Sequence, residues 1–464
     1  MKKIFFYFFL YCLIIISSLT ATKDIYTTMP LATQNQIDIP ISGHETSITI
    51  FIHGIVNVTP HLSCKNIYLF SIDDILDTIY AHTIHHIRED SFFYINDGMG
   101  PLGFTKLNMF DITKGLTANT TAYLYNEISR LSGLEYTNNH YYTYGWSGLF
   151  SIKERYKESE ALLLGIHNLV KKYTQNGIKP KVRIIGYSHG GNVSLNLAAM
   201  HANKYPDLDI VIDELILVGM PVQNETDILT RSPLFKKIYH FYSRLDRIQQ
   251  IDPFSTHRLF SGKKFKDRSD FIVPDKITQI QVKCSRIRTC KHNKEKLIKH
   301  ACNNKTGQRR SMRDASPGHI ELWFFQWAIG NYRDTFPLAP LPVLVFIPYM
   351  ISALQEIEDQ IKNPYPIIFE MRPECGVSII KQSISDSHIT IPFIEDADLA
   401  PLQEIARSIQ ADDYTEENYQ EHLQKAFDKA CDDYNVRKKH TMRPSKKAHR
   451  RKLRGKSHSG FTML

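Results

Sequence analysis

The chain has 464 residues, of which 42% are hydrophobic, 11% aromatic and 23% charged. This composition is typical of a globular protein, and it excludes a chain that is disordered throughout and a collagen-like chain. The length suits one large catalytic domain with an additional segment, or two to three small domains.

The net charge of +9 is unevenly distributed. Eleven Lys and Arg residues and one acid lie in the block from Lys283 to Arg313, and eleven more with no acid lie in residues 437–464. Without these blocks and the two N-terminal lysines, 33 basic and 47 acidic residues remain, a net charge of −14. Such local basic charge indicates surface patches or tails rather than a wholly basic fold.

The N-terminus has the pattern of an export signal. Lys2 and Lys3 precede an apolar run of 13 residues, residues 4–16. Residues 17–21 are mostly small or polar, which predicts cleavage after Ala21. An uncleaved membrane anchor is the alternative. We expect an exported protein that is secreted, periplasmic or membrane-associated through an uncleaved N-terminal segment.

From residue 45 onward, short apolar runs rich in β-branched residues alternate with amphipathic ones. Strands are predicted, in chain order, over residues 46–55, 141–146, 181–186, 214–219, 238–243 and 277–283. Short helices and loops are predicted over residues 75–139. Helices are predicted over residues 151–175, followed by Gly177, and 192–205, followed by Pro206. The alternation predicts an α/β fold, with a mostly parallel sheet flanked by helices.

The pattern weakens after residue 327. Strands are predicted over residues 367–371, 377–380 and 389–394, and a helix over residues 415–433. We interpret residues 337–436 as a C-terminal α+β appendage packed on the body. The apolar stretch 338–350 contains three prolines, so it does not read as a membrane span. Residues 437–464 lack apolar periodicity, and we expect a disordered basic tail.

The main chemical motif is Gly186-Tyr187-Ser188-His189-Gly190, between a predicted strand and a predicted helix. It fits G-x-S-x-G, in which the serine lies on a sharp, strained turn and projects its hydroxyl above the sheet. Gly186 and Gly190 leave room for that turn because they have no side chain. The alternative is an ordinary turn serine, which the flanking strand and helix disfavour.

With this motif in this context, the chain resembles the α/β-hydrolase superfamily, in particular lipase- and esterase-like serine hydrolases, over about residues 48–325. The resemblance implies an α/β-hydrolase fold, no cofactor, and a triad in the chain order Ser, Asp or Glu, His. Asp246 follows the predicted strand 238–243, where the family places its acid. His319 follows the next strand and precedes an apolar run that we predict to be helical.

In these roles His319 takes the proton of Ser188, and Asp246 orients the imidazole. Alternatives remain open for the acid and the base. They are Asp213 and Asp252 for the acid, and His257, His292 and His300 for the base.

The resemblance also implies an oxyanion hole of two backbone N–H groups. One belongs to His189, which follows the serine. The other belongs to Ile55, which follows His53-Gly54 after the first strand. We interpret the side chains of His53 and His189 as structural turn residues rather than bases.

Export permits disulfide bonds, and six of the seven cysteines lie beyond the signal. A cluster of Cys and His has spacings that match no standard zinc finger. Its members are Cys284, Cys290, His292, His300 and Cys302. A Cys284–Cys290 or Cys290–Cys302 disulfide is expected ahead of free thiols and of a metal site, so we predict no metal.

The sequence therefore predicts an exported serine hydrolase that cleaves carboxylic esters. Lipid or acyl esters are suggested by the resemblance, by the apolar stretch 338–350 and by a basic rim. The predicted divisions are a signal peptide (1–21), a lead-in (22–44), a catalytic domain (45–336), the appendage (337–436) and the basic tail (437–464). The alternatives are an inactive binding module for anionic lipid or polyanion, and a thioesterase, acyltransferase or peptidase of the same fold.

An anionic membrane surface is the expected partner of the basic insertion, from Lys283 to Arg313, and of the tail from Arg437 to Lys456. A solvated loop is the alternative for the insertion. The tail has almost no aromatic residues and no nucleic-acid-binding motif, so we expect no nucleic-acid partner.

Overall fold

The computed structural model describes residues 45–56, 69, 72–134, 138–250, 261–287, 312–328, 332–361, 365–382 and 387–441. The predicted signal and lead-in lie outside these ranges, as do residues 288–311 of the basic insertion and residues 442–464 of the tail. Within these ranges, no helix is both long and apolar enough to cross a bilayer.

A mixed β-sheet lies at the centre of the described chain, in the order β11-β10-β9-β7-β6-β5-β4-β1-β3-β2, with β8 paired to β7. The pairs from β3 to β9 along this order are parallel, and the pairs at both margins are antiparallel. The predicted α/β class with a mostly parallel sheet is confirmed. The strands are β1 Thr46–Ile52, β2 Gly103–Lys106, β3 Asn138–Gly145, β4 Lys181–Tyr187, β5 Ile212–Val218, β6 Phe235–Ser243, β7 Ile277–Ile287, β8 Met312–Asp314, β9 Ile367–Arg372, β10 Val377–Gln382 and β11 Ile389–Pro392.

Helices cover both faces of this sheet. They are α1 Ile79–Glu89, α2 Ser91–Asn96, α3 Thr117–Leu131, α4 Ile152–Thr174, α5 His189–Lys204, α6 Asn224–Asp227, α7 Ile347–Glu356, α8 Asp396–Ser408 and α9 Glu416–Thr441. Alternate residues of the central strands point to opposite faces, so the sheet separates two apolar clusters. Helices α4 and α5 contribute to one cluster, and α3, α7 and α8 to the other.

Helix α4 shows why the predicted bounds were close. The Ser151 hydroxyl accepts a hydrogen bond from the Glu154 N–H at 3.1 Å, which caps the helix. Gly177 follows its end with φ +74°, a conformation that glycine adopts without steric cost. Strand β2 was not predicted, because it has only four residues, all partly exposed.

Residues 337–436 are not a separate appendage in the structure. Strand β9 pairs in parallel with β7, and β10 and β11 continue the same sheet. The apolar stretch 338–350 is buried in the core, so its hydrophobicity supplies packing and is no evidence for a lipid surface. Pairing with β9 also protects an edge of β7 that would otherwise expose its backbone groups.

The start of the basic insertion lies within the sheet. Strand β7 is longer than predicted and reaches Ile287, and β8 returns antiparallel to it. The Lys283 ammonium is paired with Glu370 at 2.9 Å. Cys284 is a buried free thiol, so the expectation of a Cys284–Cys290 disulfide is wrong. The Cys290–Cys302 alternative lies outside the described residues.

A short hydrogen-bond chain ties the C-terminal part of the chain to the body. The Tyr414 hydroxyl lies 2.6 Å from Oδ1 of Asp97 and 2.6 Å from the carbonyl oxygen of Ala328. Two hydrogen bonds need two protons, and the tyrosine supplies only one, which it donates to the carbonyl. The Asp97 carboxyl therefore supplies the other. Burial raises the pKa of Asp97 to about 7, which agrees with this count.

This chain predicts how Asp97→Asn changes stability with pH. The pKa of Asp97 is raised in the folded state, so the wild type loses stability as pH rises from about 4 through 7, by at most about 1.4 kcal/mol per pH unit. An asparagine amide donates to Tyr414 at every pH. Urea unfolding at pH 5, 6, 7 and 8 should show that the free energy of unfolding of the variant increases relative to that of the wild type as pH rises.

The matched control is Asp207→Asn, at an exposed carboxylate. The difference in free energy of unfolding between this variant and the wild type should not change over the same pH range. Parallel pH dependence of Asp97→Asn and the wild type would contradict a protonated Asp97.

Candidate active site

Ser188 lies on a strained turn between β4 and α5. Strand β4 ends at Tyr187, and α5 begins at His189. The backbone of Ser188 has φ +50° and ψ −129°, which costs a residue other than glycine roughly 1–3 kcal/mol. The Ser188 N–H donates to the carbonyl oxygen of Val218 at 2.9 Å. Contacts with neighbouring elements therefore hold the serine in this conformation.

Three glycines allow backbone segments to touch around this turn. A Cβ atom on Gly190 would lie 2.3 Å from the carbonyl oxygen of His53, and one on Gly186 would lie 2.7 Å from Cα of Gly191. A Cβ atom on Gly54 would lie 2.9 Å from Cβ of Ser188. These distances leave no room for a side chain, so the loop after β1 packs directly against the turn.

The three residues named as a triad are brought together. His319 Nε2 lies 3.1 Å from Ser188 Oγ, and His319 Nδ1 lies 2.7 Å from Oδ2 of Asp246. Because a carboxylate accepts, Nδ1 carries the ring proton, and Nε2 accepts from the serine hydroxyl. Asp246 is fully buried and also accepts from the Gln249 N–H at 3.1 Å. Residues far apart in the sequence thus form one continuous hydrogen-bond chain.

The alternative acid Asp213 lies elsewhere. It is near the start of β5, whereas Ser188 follows the end of the neighbouring strand β4. Its carboxylate accepts from the Val182 N–H at 2.9 Å and pairs with Lys236 at 2.6 Å. The remaining candidates for the acid and the base lie outside the described residues; they are Asp252, His257, His292 and His300.

Tyr187 orients the backbone and the ring of His319. Its hydroxyl donates to the His319 carbonyl oxygen at 2.9 Å, and the ring centroids of the two residues lie 4.8 Å apart. The Trp323 ring stacks on the Tyr187 ring, with centroids 5.0 Å apart. Burial, followed by the charges of Asp246 and Glu321, raises the pKa of Tyr187 well above its ordinary value, so the hydroxyl remains a donor.

The loop before His319 is also fixed by polar contacts. Ser243, at the end of β6, donates to the carbonyl oxygen of Pro317. The Glu321 carboxylate accepts from the Gly318 N–H at 2.7 Å and pairs with Arg333 at 2.6 Å. These supporting residues were not predicted from the sequence, although Tyr187 belongs to the motif. The helix predicted after His319 is only a single 3₁₀ turn, Ile320–Leu322.

The loop after β1, which carries the predicted oxyanion donor Ile55, lies beside Ser188. The Trp146 N–H donates to His53 Nε2 at 3.3 Å, so His53 donates from Nδ1 to the Gly54 carbonyl oxygen at 2.7 Å. Burial, and then the charge of Arg88, lowers the pKa of His53 well below its ordinary value. His53 therefore shapes the loop as a neutral ring. Within the described residues, no group accepts from the N–H of Ile55.

The other expected donor, the backbone N–H of His189, lies in the first turn of α5, directly after Ser188. The described ranges contain no group of three or more His, Cys, Asp and Glu side chains that is arranged to hold a metal ion.

Comparison with known proteins supplies little. No protein-family model and no curated protein matches the sequence. The solved structure of the Tle1 effector bound to the VgrG spike from the Type 6 secretion system aligns with 49% of this chain at 11% identity, with a TM-score of 0.19. The match spans 50% of that chain, about half its length. A score this low carries no inference about the fold or the activity of this protein.

Gly219 offers a test of how tightly the site is packed. It has φ +58°, and a Cβ atom there would lie 2.9 Å from Leu322 and 3.4 Å from Nδ1 of His319. Gly219→Ala should lower the free energy of unfolding by about 1–2 kcal/mol because of the backbone conformation, and by about 1–3 kcal/mol more because of crowding. It should also shift the ring signals of His319 in NMR spectra.

Gly376→Ala is the matched control, because Gly376 has φ +61° and a Cβ atom there would meet nothing within 4 Å in the described part of the chain. In denaturant unfolding, its free energy of unfolding should fall only by the amount that the backbone conformation costs, and the signals of His319 should be unchanged. Equal losses for the two variants would show that the packing at Gly219 is loose.

Proposed function

We propose that this chain is a serine hydrolase of the α/β-hydrolase fold, which cleaves carboxylic esters through an acyl-enzyme on Ser188. The observation that carries the proposal is the hydrogen-bond chain from Ser188 Oγ through His319 to the buried Asp246, starting on a strained strand-to-helix turn. The chain order Ser, Asp, His and the strand–turn–helix context agree with that fold.

The proposed reaction begins when Ser188 Oγ attacks the ester carbonyl carbon while His319 Nε2 takes the hydroxyl proton. The backbone N–H groups of Ile55 and His189 stabilise the negative oxygen of the tetrahedral intermediate. His319 then returns the proton to the leaving alcohol, which departs as the ester bond breaks. Water, deprotonated by the same imidazole, attacks the acyl carbon, and His319 returns that proton to Ser188 Oγ as the bond to the serine breaks and the acid leaves.

Asp246 contributes by holding the ring and by stabilising the imidazolium that forms in each step. Its complete burial limits screening of this interaction by water. A binding module without catalysis would need neither this buried acid nor the strain at Ser188. A thioesterase, acyltransferase or peptidase would use the same side chains, so substrate panels must separate those classes.

Labelling with a fluorophosphonate, followed by turnover of p-nitrophenyl esters of graded chain length, tests the reaction. Ser188→Ala should abolish labelling, and Asp246→Asn should lower kcat by roughly 10³–10⁴-fold because the tautomer of His319 is no longer held. Asp213→Asn, which removes a carboxylate on another part of the sheet, should retain turnover.

A wild type that is folded but unlabelled would refute the proposal. Labelling that persists in Ser188→Ala would place the nucleophile elsewhere. Faster turnover of thioesters, amides or acyl acceptors than of esters would assign one of the other reaction classes.

For the substrate class, we propose an ester presented at a lipid surface. Leu245 and Ile248 flank Asp246 in the loop after β6, with 40% and 51% of their surface exposed. Arg244 and Arg247 are exposed beside them. Exposed apolar side chains next to cations suit the interface of a bilayer that contains anionic lipid.

The double variant Leu245→Ser/Ile248→Ser tests this surface. Removing two apolar side chains from a membrane contact should weaken vesicle binding and lower turnover of esters in anionic vesicles by roughly tenfold or more. Turnover of a short soluble ester should be unchanged. Phe110→Ser, at a residue that is 80% exposed in the loop after β2, is the control.

If turnover in vesicles and in solution changes equally, the loop has no role at a lipid surface. Unchanged turnover in both would have the same meaning. Proposed export depends on the N-terminal sequence alone. Further membrane contacts are proposed for the insertion, Lys283 to Arg313, and for the tail, Arg437 to Lys456. Residues 288–311 and 442–456 of these segments lie outside the described ranges, and Lys283 is paired with Glu370 within the sheet.

A further inference from the structure

A buried arginine lies against the turn that carries Ser188. Arg155, on α4, is 2% exposed and donates from Nε to the Ser151 carbonyl oxygen at 3.1 Å. Its Nη1 donates to Nδ1 of His189. Ser159, one turn further along α4, donates to the Val193 carbonyl oxygen at 2.8 Å. Two polar contacts thus join α4 to the first turns of α5.

A second donor approaches the same ring nitrogen. The Asn192 amide nitrogen lies 3.5 Å from His189 Nδ1 and donates to the Pro221 carbonyl oxygen at 3.1 Å. The Asn192 amide oxygen accepts from the Thr226 hydroxyl at 2.8 Å, which fixes the orientation of the amide. The Asn192 NH₂ group, rather than its oxygen, is therefore turned toward the imidazole.

These contacts determine the tautomer of His189. A guanidinium has only donors, so Nδ1 of His189 must accept and cannot carry a proton. The proton of the neutral ring is then on Nε2. Burial, then the charge of Arg155, then that of His319, lowers the pKa of His189 well below its ordinary value. The Phe150 ring covers the imidazole, with centroids 5.5 Å apart.

We propose that Arg155 is a positioning residue, which holds the His189 side chain as a single neutral tautomer and thereby fixes the His189 backbone N–H for the oxyanion. This inference rests on the proposed function, since it assigns a role within that site. The side chain of His189 is anchored between α4 and α5, so its backbone cannot turn away from Ser188. A neutral His189 also leaves His319 as the ring that gains a proton during the reaction.

Two charged or titratable groups in the described part of the chain lower the pKa of His189. They are Arg155 on α4 and His319 in the loop after β8. Removal of Arg155 takes away both a donor to Nδ1 and a repelling charge. His189 can then take the other tautomer, or bind a second proton in mildly acidic solution.

Nitrogen-15 NMR of the full chain labelled at histidine tests the tautomer without reference to activity. The wild type should show His189 with a proton on Nε2 and none on Nδ1 from pH 8 to pH 5. The signals are assigned by their absence in His189→Gln. In Arg155→Met, His189 should bind a proton on Nδ1 at a higher pH than in the wild type, because the charge of Arg155 is removed while the burial of the ring remains.

Kinetics then separates positioning from a merely structural role. Arg155→Met should lower kcat by about 10–100-fold with little change in KM, because a displaced oxyanion donor acts in the transition state. At acidic pH, the turnover rate of Arg155→Met should fall as two protons bind, one of them to His189. The turnover rate of Arg155→Met/His189→Gln should fall as only one proton binds, since glutamine cannot titrate. Arg155→Lys keeps a charged donor and should recover most of the loss.

Each outcome has one meaning. A proton on Nδ1 of the wild type, or His189 signals unaffected by Arg155→Met, overturns the inference. If the wild type is active and Arg155→Met has the same kcat and pH profile, the inference is overturned as well. If Arg155→Met fails to fold, Arg155→Lys tests the tautomer by NMR, where it should keep Nδ1 without a proton, and His189→Gln tests the positioning by kinetics, where an unchanged kcat overturns the inference. A wild type that hydrolyses no ester refutes the proposed function, while the NMR result still decides the tautomer.

Discussion

The positive φ of Ser188 is the constraint on which the rest of the site depends. A strand that continued in its regular conformation would place the hydroxyl within the sheet, whereas the turn lifts it toward the imidazole of His319. The turn is held where three backbone segments touch, at Gly54, Gly186 and Gly190. The strain is therefore balanced by close packing around it, which brings the loop after β1 to the serine.

Parallel strands explain why distant residues meet. Ser188 follows β4 and Asp246 follows β6, and adjacent parallel strands end at the same edge of the sheet. The histidines near this edge differ in their partners. His53 and His189 accept from N–H donors and are buried as neutral rings, whereas His319 donates to a carboxylate. That difference in partners singles out His319 as the ring suited to bind and release a proton.

The C-terminal part of the chain extends the sheet that carries the site. Strand β9 continues the sheet beside β7. The Tyr414 hydroxyl contacts the carboxyl of Asp97 and the carbonyl oxygen of Ala328, and Ala328 lies in the segment that follows His319. The pair of Glu321 with Arg333 holds the Gly318 backbone.

Local sequence was sufficient for the α/β class, for most strand positions, for helices α4, α5 and α9 and for the turn at Ser188, because apolar periodicity and glycine act over a few residues. It also named Asp246 and His319 through a resemblance in chain order, but it left further acids and histidines open. Only the tertiary structure placed Tyr187 against His319, put Arg155 beside His189 and merged residues 367–392 with the central sheet. Most of these contacts join residues tens to hundreds of positions apart, and their partners are selected by the packing of the whole fold rather than by any short pattern.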